Sequence, residues 1–235
     1  MRGCLFVLLF AAVVLGAAAW FGSGPLASAA IGAALQGSGY RSSGTTITVT
    51  SEPPPRLLLG QADRVAIDGS DVDWQTLHAG RVRLLLDEVD LFGRTADHVT
   101  GTIDDARIDD GRGGSATASS IEVAGPLEAA SATITIEADT VRTLVQAAAA
   151  GSLPVQVTDV QLVGPDRLRL VTSGATVEGS LVVDPDGTLA FATPLGSVPM
   201  LRIDPASRLT LRSADVVDGR LRLIGTLDLA SLLRA

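Results

Sequence analysis

Most of the chain after residue 45 alternates between apolar and polar residues over short segments. The alternation is clear in ITVT at 47–50, TITI at 133–136 and LRL at 168–170. A period of two puts one face of a strand against a core and leaves the other in water, as in antiparallel sheets. The same pattern predicts further strands at 65–68, 155–157, 181–183, 189–191, 209–212 and 221–223. The chain is therefore predicted to be mostly β.

Turn residues separate these segments. DPDG at 184–187 and DG at 218–219 each stand between two alternating segments, which is typical of β-hairpins. The segments recur roughly every 8–12 residues, a spacing that favours consecutive short strands over alternating strands and helices. The similar sequences LDEVDL at 86–91, VTDVQL at 157–162 and RSADVV at 212–217 favour a meander, but they are too irregular for a solenoid.

A few segments have helical character. Residues 25–35 are rich in Ala and space Leu26, Ile31 and Leu35 for one helix face. Asp139 and Thr140 precede a run of Val, Leu and Ala that ends at Gly151, which predicts a second helix. We also expect a helical turn over 53–60, closed by Gly60, and a last strand that runs into a short helix over 227–233.

Residues 4–21 carry no charge and are almost entirely apolar. Eighteen helical residues are about 27 Å long, close to the thickness of a bilayer core. The segment fits an uncleaved signal anchor or a signal peptide cleaved near Ala29. Both place the rest of the chain on the extracytoplasmic side of the cell membrane or in the envelope. The predicted division is a membrane segment over 1–24 and a single β-rich domain over 25–235.

Composition and charge exclude several classes of protein. Hydrophobic residues make up 46% of the chain and charged residues 19%, which excludes an intrinsically disordered chain. The net charge of −8 argues against a nucleic-acid partner. One Cys excludes a disulfide scaffold or a multi-thiolate metal site. All basic residues are Arg, which is a bias of the whole chain and no sign of phosphate recognition.

Candidates for catalysis or metal binding are few. His78 and His98 lie near predicted turns, and neither has a partner at metal-ligand spacing. The acidic stretch 104–111 lacks the oxygen ligands of a calcium loop and fits a solvated turn beside a strand that bears Ile108. Asp87 and Glu88 are expected to point to opposite faces of a strand, which does not suit paired acid–base work. We therefore expect no enzyme activity, no catalytic or metal-binding residues and no cofactor.

The apolar residues are mainly Val, Leu, Ile and Ala, and aromatics make up only 3%. Smooth aliphatic walls suit a cavity for an acyl chain, although biased base composition gives the same residues. The candidates for its lining are the inward residues of the strands and of the second helix, each of which also fits an ordinary core: Val65, Ile67, Val82, Leu84, Leu86, Ile134, Ile136, Val141, Leu144, Val145, Ala148, Leu181 and Val183.

Five segments resemble one family in the same order along the chain. They are VTSEPPPRLLLGQADRVAIDGSDV at 49–72, RVRLLLDEVDL at 81–91, PDRL at 165–168, GATVEGSLVVDPDGTL at 174–189 and RLTLRSADVVDGRLRLIGTLDLASLL at 208–233. Together with the apolar N-terminus they resemble the actinobacterial LmeA-like phospholipid-binding family. The motifs are strand and turn signatures and not catalytic ones, and the Pro-rich 52–56 departs from the family where members often carry an aromatic.

The resemblance implies a tubular-lipid-binding-like fold (α+β). In that fold a strongly curved antiparallel sheet wraps a helix around an apolar cavity, here preceded by one N-terminal membrane helix. It implies a cell-envelope protein that binds phospholipid or a related envelope lipid, for lipid carriage or for maintenance of envelope glycolipids. The alternative is a non-catalytic, all-β interaction domain of the envelope with a dry core. Protein partners are not predicted.

Overall fold

The computed structural model describes residues 24–74, 77–109, 115–152, 157–194, 196–203 and 208–234. Within these ranges the chain forms two antiparallel sheets and three α-helices. None of these helices combines the length and apolar character needed to cross a membrane. The predicted membrane segment at 4–21 lies outside the described residues.

The first sheet has eight strands in the order β1-β2-β3-β4-β5-β6-β13-β12. Their bounds are β1 Gly44–Thr50, β2 Gln61–Trp74, β3 Leu77–Asp90, β4 Thr95–Asp109, β5 Ser115–Gly125, β6 Ala130–Ile136, β12 Leu209–Val217 and β13 Arg220–Leu227. The second sheet has five strands in the order β11-β10-β9-β8-β7. Their bounds are β7 Val157–Leu162, β8 Arg167–Thr172, β9 Thr176–Val183, β10 Thr188–Thr193 and β11 Gly196–Arg202.

Three α-helices and one 3-10 helix accompany the sheets. Helix α1 occupies residues 24–37. The 3-10 helix spans Pro54–Leu59, and Gly60 follows it in the left-handed conformation. Helix α2 spans Ala138–Ser152 and α3 spans Leu229–Arg234. All four were predicted from the sequence, but α2 begins at Ala138, so Asp139 lies in its first turn and does not cap it.

The second sheet curls around α2. Its two edge strands, β7 and β11, both contact this helix, and the helix also contacts β5 and β13 of the first sheet. Val141, Val145 and Ala149 of α2 are fully buried as a result. Arg142 holds the helix to β7 through an ion pair of 3.2 Å with Asp159. The predicted mostly β fold with few helices and a curled antiparallel sheet is thus confirmed.

The four long strands β2 to β5 share an interruption of their alternation. Each carries two successive polar or small residues that both lie outside the core: Ser70-Asp71, Gly80-Arg81, Asp104-Asp105 and Ser119-Ser120. The buried residues before and after each pair lie on the same face, as with Ala79 and Val82 of β3. The pairs stand side by side in the sheet, because Ser70 pairs with Arg81, Arg81 with Asp104 and Asp104 with Ser120. We call this row the first kink line.

A second kink line crosses β2, β3 and β4 seven residues away. It consists of Asp63-Arg64, Asp87-Glu88 and Asp97-His98. In three of the seven pairs backbone conformation explains the kink, since Asp71, Glu88 and Asp105 have φ of 47°, 51° and 52°. A left-handed residue inside a strand lets two neighbours face outward before alternation resumes. The strands can therefore bend and still send most of their apolar residues to one face.

The kink lines overturn three expectations from the sequence. Asp87 and Glu88 do not point to opposite faces, because the left-handed Glu88 turns both away from the core. The acidic stretch does not form a turn beside the strand that bears Ile108, because residues 104–109 all belong to that strand, β4. Strands of 14 or 15 residues replace the short ones expected in this part of the chain, because a kinked strand continues where a regular one would end.

Asp105 tests the role of the kinks. A β-branched residue is strained in the left-handed region, so we expect Asp105→Val to destabilise the fold by about 1–2 kcal/mol. For a chain of this length that is a decrease of roughly 2–8 °C in the midpoint of thermal unfolding, measured by circular dichroism on the full chain in detergent. Asp105→Asn is the control and should unfold like the unchanged protein, because Asn tolerates this conformation. Equal midpoints for Val and Asn would contradict this account of the kink.

Candidate functional site: the inner face of the first sheet

The kinked strands send their apolar residues to one side of the first sheet, which we call the inner face. Two separate clusters of buried residues lie on it. The larger includes residues of both sheets and of α2, with Ile134, Leu168, Leu189, Leu221 and Leu223 fully enclosed. The smaller consists of Ala27, Val49, Leu57, Ala62 and Val65. The second sheet and α2 cover the larger cluster, whereas α1 and the 3-10 helix cover the smaller one. We call these two covers the lids of the inner face.

The lid of the smaller cluster is made by α1 and the 3-10 helix. Ala27 of α1 and Leu57 of the 3-10 helix are buried against Val49 of β1 and Val65 of β2. Farther along α1, Ile31 packs against the smaller cluster and Leu35 against the larger one. Helix α1 therefore runs along the inner face from one cluster towards the other.

Between the lids lies a stretch of the inner face that is only half-buried. Ile67, Leu84 and Leu86 are adjacent there, since Ile67 pairs with Leu84 and Val65 with Leu86. Ile67 packs against the smaller cluster, Leu84 against the larger one and Leu86 against both. All three keep part of their surface accessible, although they point to the same face as the buried core. We call these three residues the aliphatic strip.

Two glycines allow other parts of the chain to approach the sheet closely beside the strip. A Cβ atom at Gly101 of β4 would lie 2.8 Å from Cδ2 of Leu84 and would also clash with the carbonyl oxygen of Arg83. A Cβ atom at Gly69 of β2 would overlap the hydroxyl of Tyr40. The absence of side chains at these two positions therefore lets β4 approach Leu84 and lets the Tyr40 ring lie against β2.

The structure divides the thirteen predicted lining residues into two groups. The first is fully buried and packed in the clusters: Val65, Val82, Ile134, Ile136, Val141, Val145 and Leu181. The second is half-buried: Ile67, Leu84, Leu86, Leu144, Ala148 and Val183. Leu144 and Val183 pack against the larger cluster, at the boundary between the sheets. Only the second group exposes apolar surface that a ligand could contact in this conformation.

Two open cavities lie beside α1. One of about 640 Å³ separates α1 from β1, and it is lined by Leu35, Ile47 and the hydroxyl-bearing residues Ser28, Tyr40 and Thr45. The other, of about 1360 Å³, lies where α1 begins, between Pro25, Val49, Pro53 and Leu57, with Arg64 and Asp87 at its edge. The smaller volume falls within the range of about 300–1,000 Å³ that is usual for small-molecule sites. Both cavities give solvent access to the region around α1.

The outer face of the first sheet carries ion pairs. Arg81 binds Asp68 through two nitrogens at 2.8 and 3.1 Å. Arg64 pairs with Asp87 at 2.9 Å and Arg83 with Asp104 at 2.7 Å. Asp87, one of the carboxylates considered for acid–base work, thus lies opposite the aliphatic strip and is bound to Arg64. In the described part of the chain, no group of three or more His, Cys, Asp or Glu residues is placed to hold a metal ion.

The hydrogen bond from Arg81 is the main cause that lowers the pKa of Asp68, and burial opposes it only in part.

The sequence did not reveal the lid over the smaller cluster, nor which of the thirteen lining candidates stay accessible. Leu26, Ile31 and Leu35 were expected on one face of α1, but only Ile31 and Leu35 pack against the clusters. Leu26 is 68% exposed, and Ala27 is buried in its place. The polar pairs of the kink lines are visible in the sequence and would have indicated which residues face inward.

Arg81 gives a direct test of the outer-face pairing. Removing its charge and hydrogen bonds in Arg81→Gln should raise the pKa of Asp68 towards the ordinary value of an aspartate, as measured by NMR titration of the carboxyl carbons. Since pairing lowers the folded-state pKa, its contribution to stability is present above the unfolded-state pKa and is lost as the pH falls through the folded-state value. The control Arg169→Gln removes a partner of Glu178 in the second sheet and should leave Asp68 unchanged. An unchanged Asp68 in Arg81→Gln would contradict the assignment.

Comparison with known proteins identifies no relative. No protein family, no curated protein and no solved structure matches this chain. The function is therefore argued from the geometry of the inner face and from the chemistry of its residues.

Proposed function

We propose that this protein is a non-catalytic lipid-binding protein of the cell envelope, which holds acyl chains of a phospholipid or related lipid on the inner face of its first sheet. The observation that carries the proposal is the half-buried aliphatic strip of Ile67, Leu84 and Leu86. A sheet that could close its core completely would bury these residues. Here they form an apolar surface that lies between two lids, and Ile67 pairs with Ile47, which lines the open cavity beside α1.

The chemistry of the strip suits an alkyl chain. Its side chains offer only methyl and methylene groups, and the charged residues of β2 and β3 lie on the opposite face. Moving an acyl chain from water to such a surface gains about 0.8 kcal/mol per CH₂ group. A bilayer already provides most of that gain, so the net change on transfer from a membrane is small. Such a balance favours exchange and carriage over storage.

The apolar segment at 4–21 supports a place at the membrane. Its length and lack of charge suit a single span, with the β-rich part on the extracytoplasmic side, or a signal that is cleaved near Ala29. In either case the protein works where envelope lipids are exchanged. Membership of the LmeA-like family stays a prediction from the resemblance of its strand and turn segments.

The second candidate is an envelope interaction domain with a dry core. It is favoured by the seven predicted lining residues that are packed in the clusters, such as Ile134 and Ile136, which are 0% and 1% exposed. These residues contribute to the fold and give a ligand no surface. The two candidates differ in whether lipid reaches the half-buried residues.

Photo-crosslinking on the full chain tests the proposal. The protein is placed in nanodiscs that contain a phosphatidylcholine with a diazirine on its acyl chain, and adducts are mapped by mass spectrometry after irradiation. We expect adducts on β2 and β3 at the aliphatic strip. Leu86→Arg should reduce the yield of these adducts at least about tenfold. A tenfold decrease corresponds to about 1.4 kcal/mol of binding free energy, and holding an alkyl chain against a charged group costs more than that. Leu144→Arg on α2 should also reduce them.

Leu85→Arg is the matched control. Leu85 is the neighbour of Leu86 in the same strand, is also half-buried, and points to the outer face. It should keep the adducts of the unchanged protein, and circular dichroism should show that all three variants are folded. Adducts found in residues 4–21 but absent from β2 and β3 of the unchanged protein would overturn the proposal and favour the dry-core domain.

A further inference from the structure

Four large apolar side chains are strongly exposed at one end of the first sheet. Leu26 of α1 is 68% exposed, Leu58 and Leu59 of the 3-10 helix are 53% and 69% exposed, and Phe92 in the turn between β3 and β4 is 76% exposed. We call these four residues the apolar rim. Single exposed apolar residues are common, but a group of four on neighbouring segments indicates a contact surface.

Short-range contacts bring the segments of the rim together. The amide of Leu91 donates a hydrogen bond of 2.7 Å to the carbonyl oxygen of Gly60, directly after the 3-10 helix. The Phe92 ring lies against Gly60, where a Cβ atom would come within 2.5 Å of it. On the other side, Pro25 and Leu57 line the same cavity. The rim therefore forms one end of the molecule, where α1, the 3-10 helix and the β3–β4 turn meet.

The fold holds the rim residues away from the core. Gly60, with φ of 78°, ends the 3-10 helix and donates its amide to the carbonyl oxygen of Leu57 at 3.0 Å. In the next turn, the carboxylate of Asp90 accepts hydrogen bonds from the amides of Phe92 at 3.0 Å and Gly93 at 2.8 Å. These bonds fix both turns, so the exposed leucines and Phe92 are presented by ordered backbone.

The sequence before α1 identifies what the rim contacts. The uncharged segment 4–21 ends three residues before Gly24, and Gly24 lies beside Val49 at the rim end of the sheet. If residues 4–21 lie in a bilayer, the rim is the part of the domain nearest to that bilayer. The chain carries a net charge of −8, and Arg56 in the 3-10 helix is paired with Asp63 at 2.8 Å. Attraction to anionic headgroups is thus a poor explanation, whereas insertion of apolar side chains requires no basic patch.

We infer that the apolar rim docks on the surface of the lipid bilayer, with Leu58, Leu59 and Phe92 inserted into its interfacial region. The inference rests on the membrane location in the proposed function and adds the orientation of the domain. The smaller cluster, which borders the aliphatic strip through Leu86, then faces the membrane. Lipid would reach the strip directly from the bilayer, without a soluble carrier.

Spin labelling of the full chain in phosphatidylcholine vesicles tests the orientation. With Cys4→Ser as background, a nitroxide is attached at Leu59→Cys or Phe92→Cys, and its accessibility to oxygen and to a water-soluble nickel complex is measured. Both labels should be more accessible to oxygen, as in lipid. The control label at Val217→Cys should be more accessible to nickel, because Val217 is also exposed but lies at the opposite end of the strands. Zwitterionic vesicles should be enough to give this result, because docking by apolar side chains requires no anionic headgroups.

A second variant separates docking from tethering. Leu58→Asp removes one apolar rim residue and should move the label at position 92 from lipid to water, while the control Val217→Asp should leave it in place. Labels at 59 and 92 that are as accessible to nickel as the one at 217 would overturn the inference, and a protein partner would then be the alternative for the rim. Crosslinks at the aliphatic strip with a water-exposed rim would refute docking alone. A lipid-exposed rim without crosslinks at the strip would refute the proposed function alone.

Discussion

The structure depends on the burial of one aliphatic face by strands that bend without turning that face over. A regular strand alternates strictly, so a bend usually exposes apolar residues or buries polar ones. In β2, β3 and β4 the left-handed residues Asp71, Glu88 and Asp105 solve this conflict by placing two polar neighbours outside in succession. Asp71 and Asp105 lie on the first kink line and Glu88 on the second. The polar pairs of neighbouring strands stand side by side along each line, so these strands bend together.

The same arrangement gathers the polar and charged residues on the outer face of the sheet. Each kink line concentrates polar and charged residues. The ladder of the sheet places Arg64 directly opposite Asp87, and Arg83 reaches Asp104 diagonally on the neighbouring strand. Exposed pairs of this kind contribute little to stability individually, about 0–1 kcal/mol. Their main effect is to keep the outer face wetted along strands of up to 15 residues, so that only the inner face offers apolar surface to the rest of the chain.

Local signals in the sequence predicted the elements well and their assembly poorly. The hairpins at 184–187 and 218–219, the glycine after Leu59 and the Ala-rich α2 all act through neighbours in the chain, and all were found. The continuation of β4 through the acidic stretch was missed, because doubled polar residues were interpreted as the end of a strand. Ile67, Leu84 and Leu86 were among the predicted lining residues, but the sequence could not separate them from the seven candidates that are buried. All of them follow the same pattern, and only the position of the two lids leaves the strip partly accessible.

That accessibility follows from how the inner face is covered. The second sheet and α2 contact β5, β12 and β13 of the first sheet, while the smaller cluster on β1 and β2 has the separate lid of α1 and the 3-10 helix. Leu86 packs against both clusters but stays half-buried, so the two lids leave part of the surface between them open. The same lid carries the exposed leucines 58 and 59, so the accessible strip and the apolar rim belong to one end of the fold. A lipid-binding surface and a membrane-contacting surface that share a lid can be coupled by its movement, since any displacement of α1 from Val49 and Val65 would widen the strip.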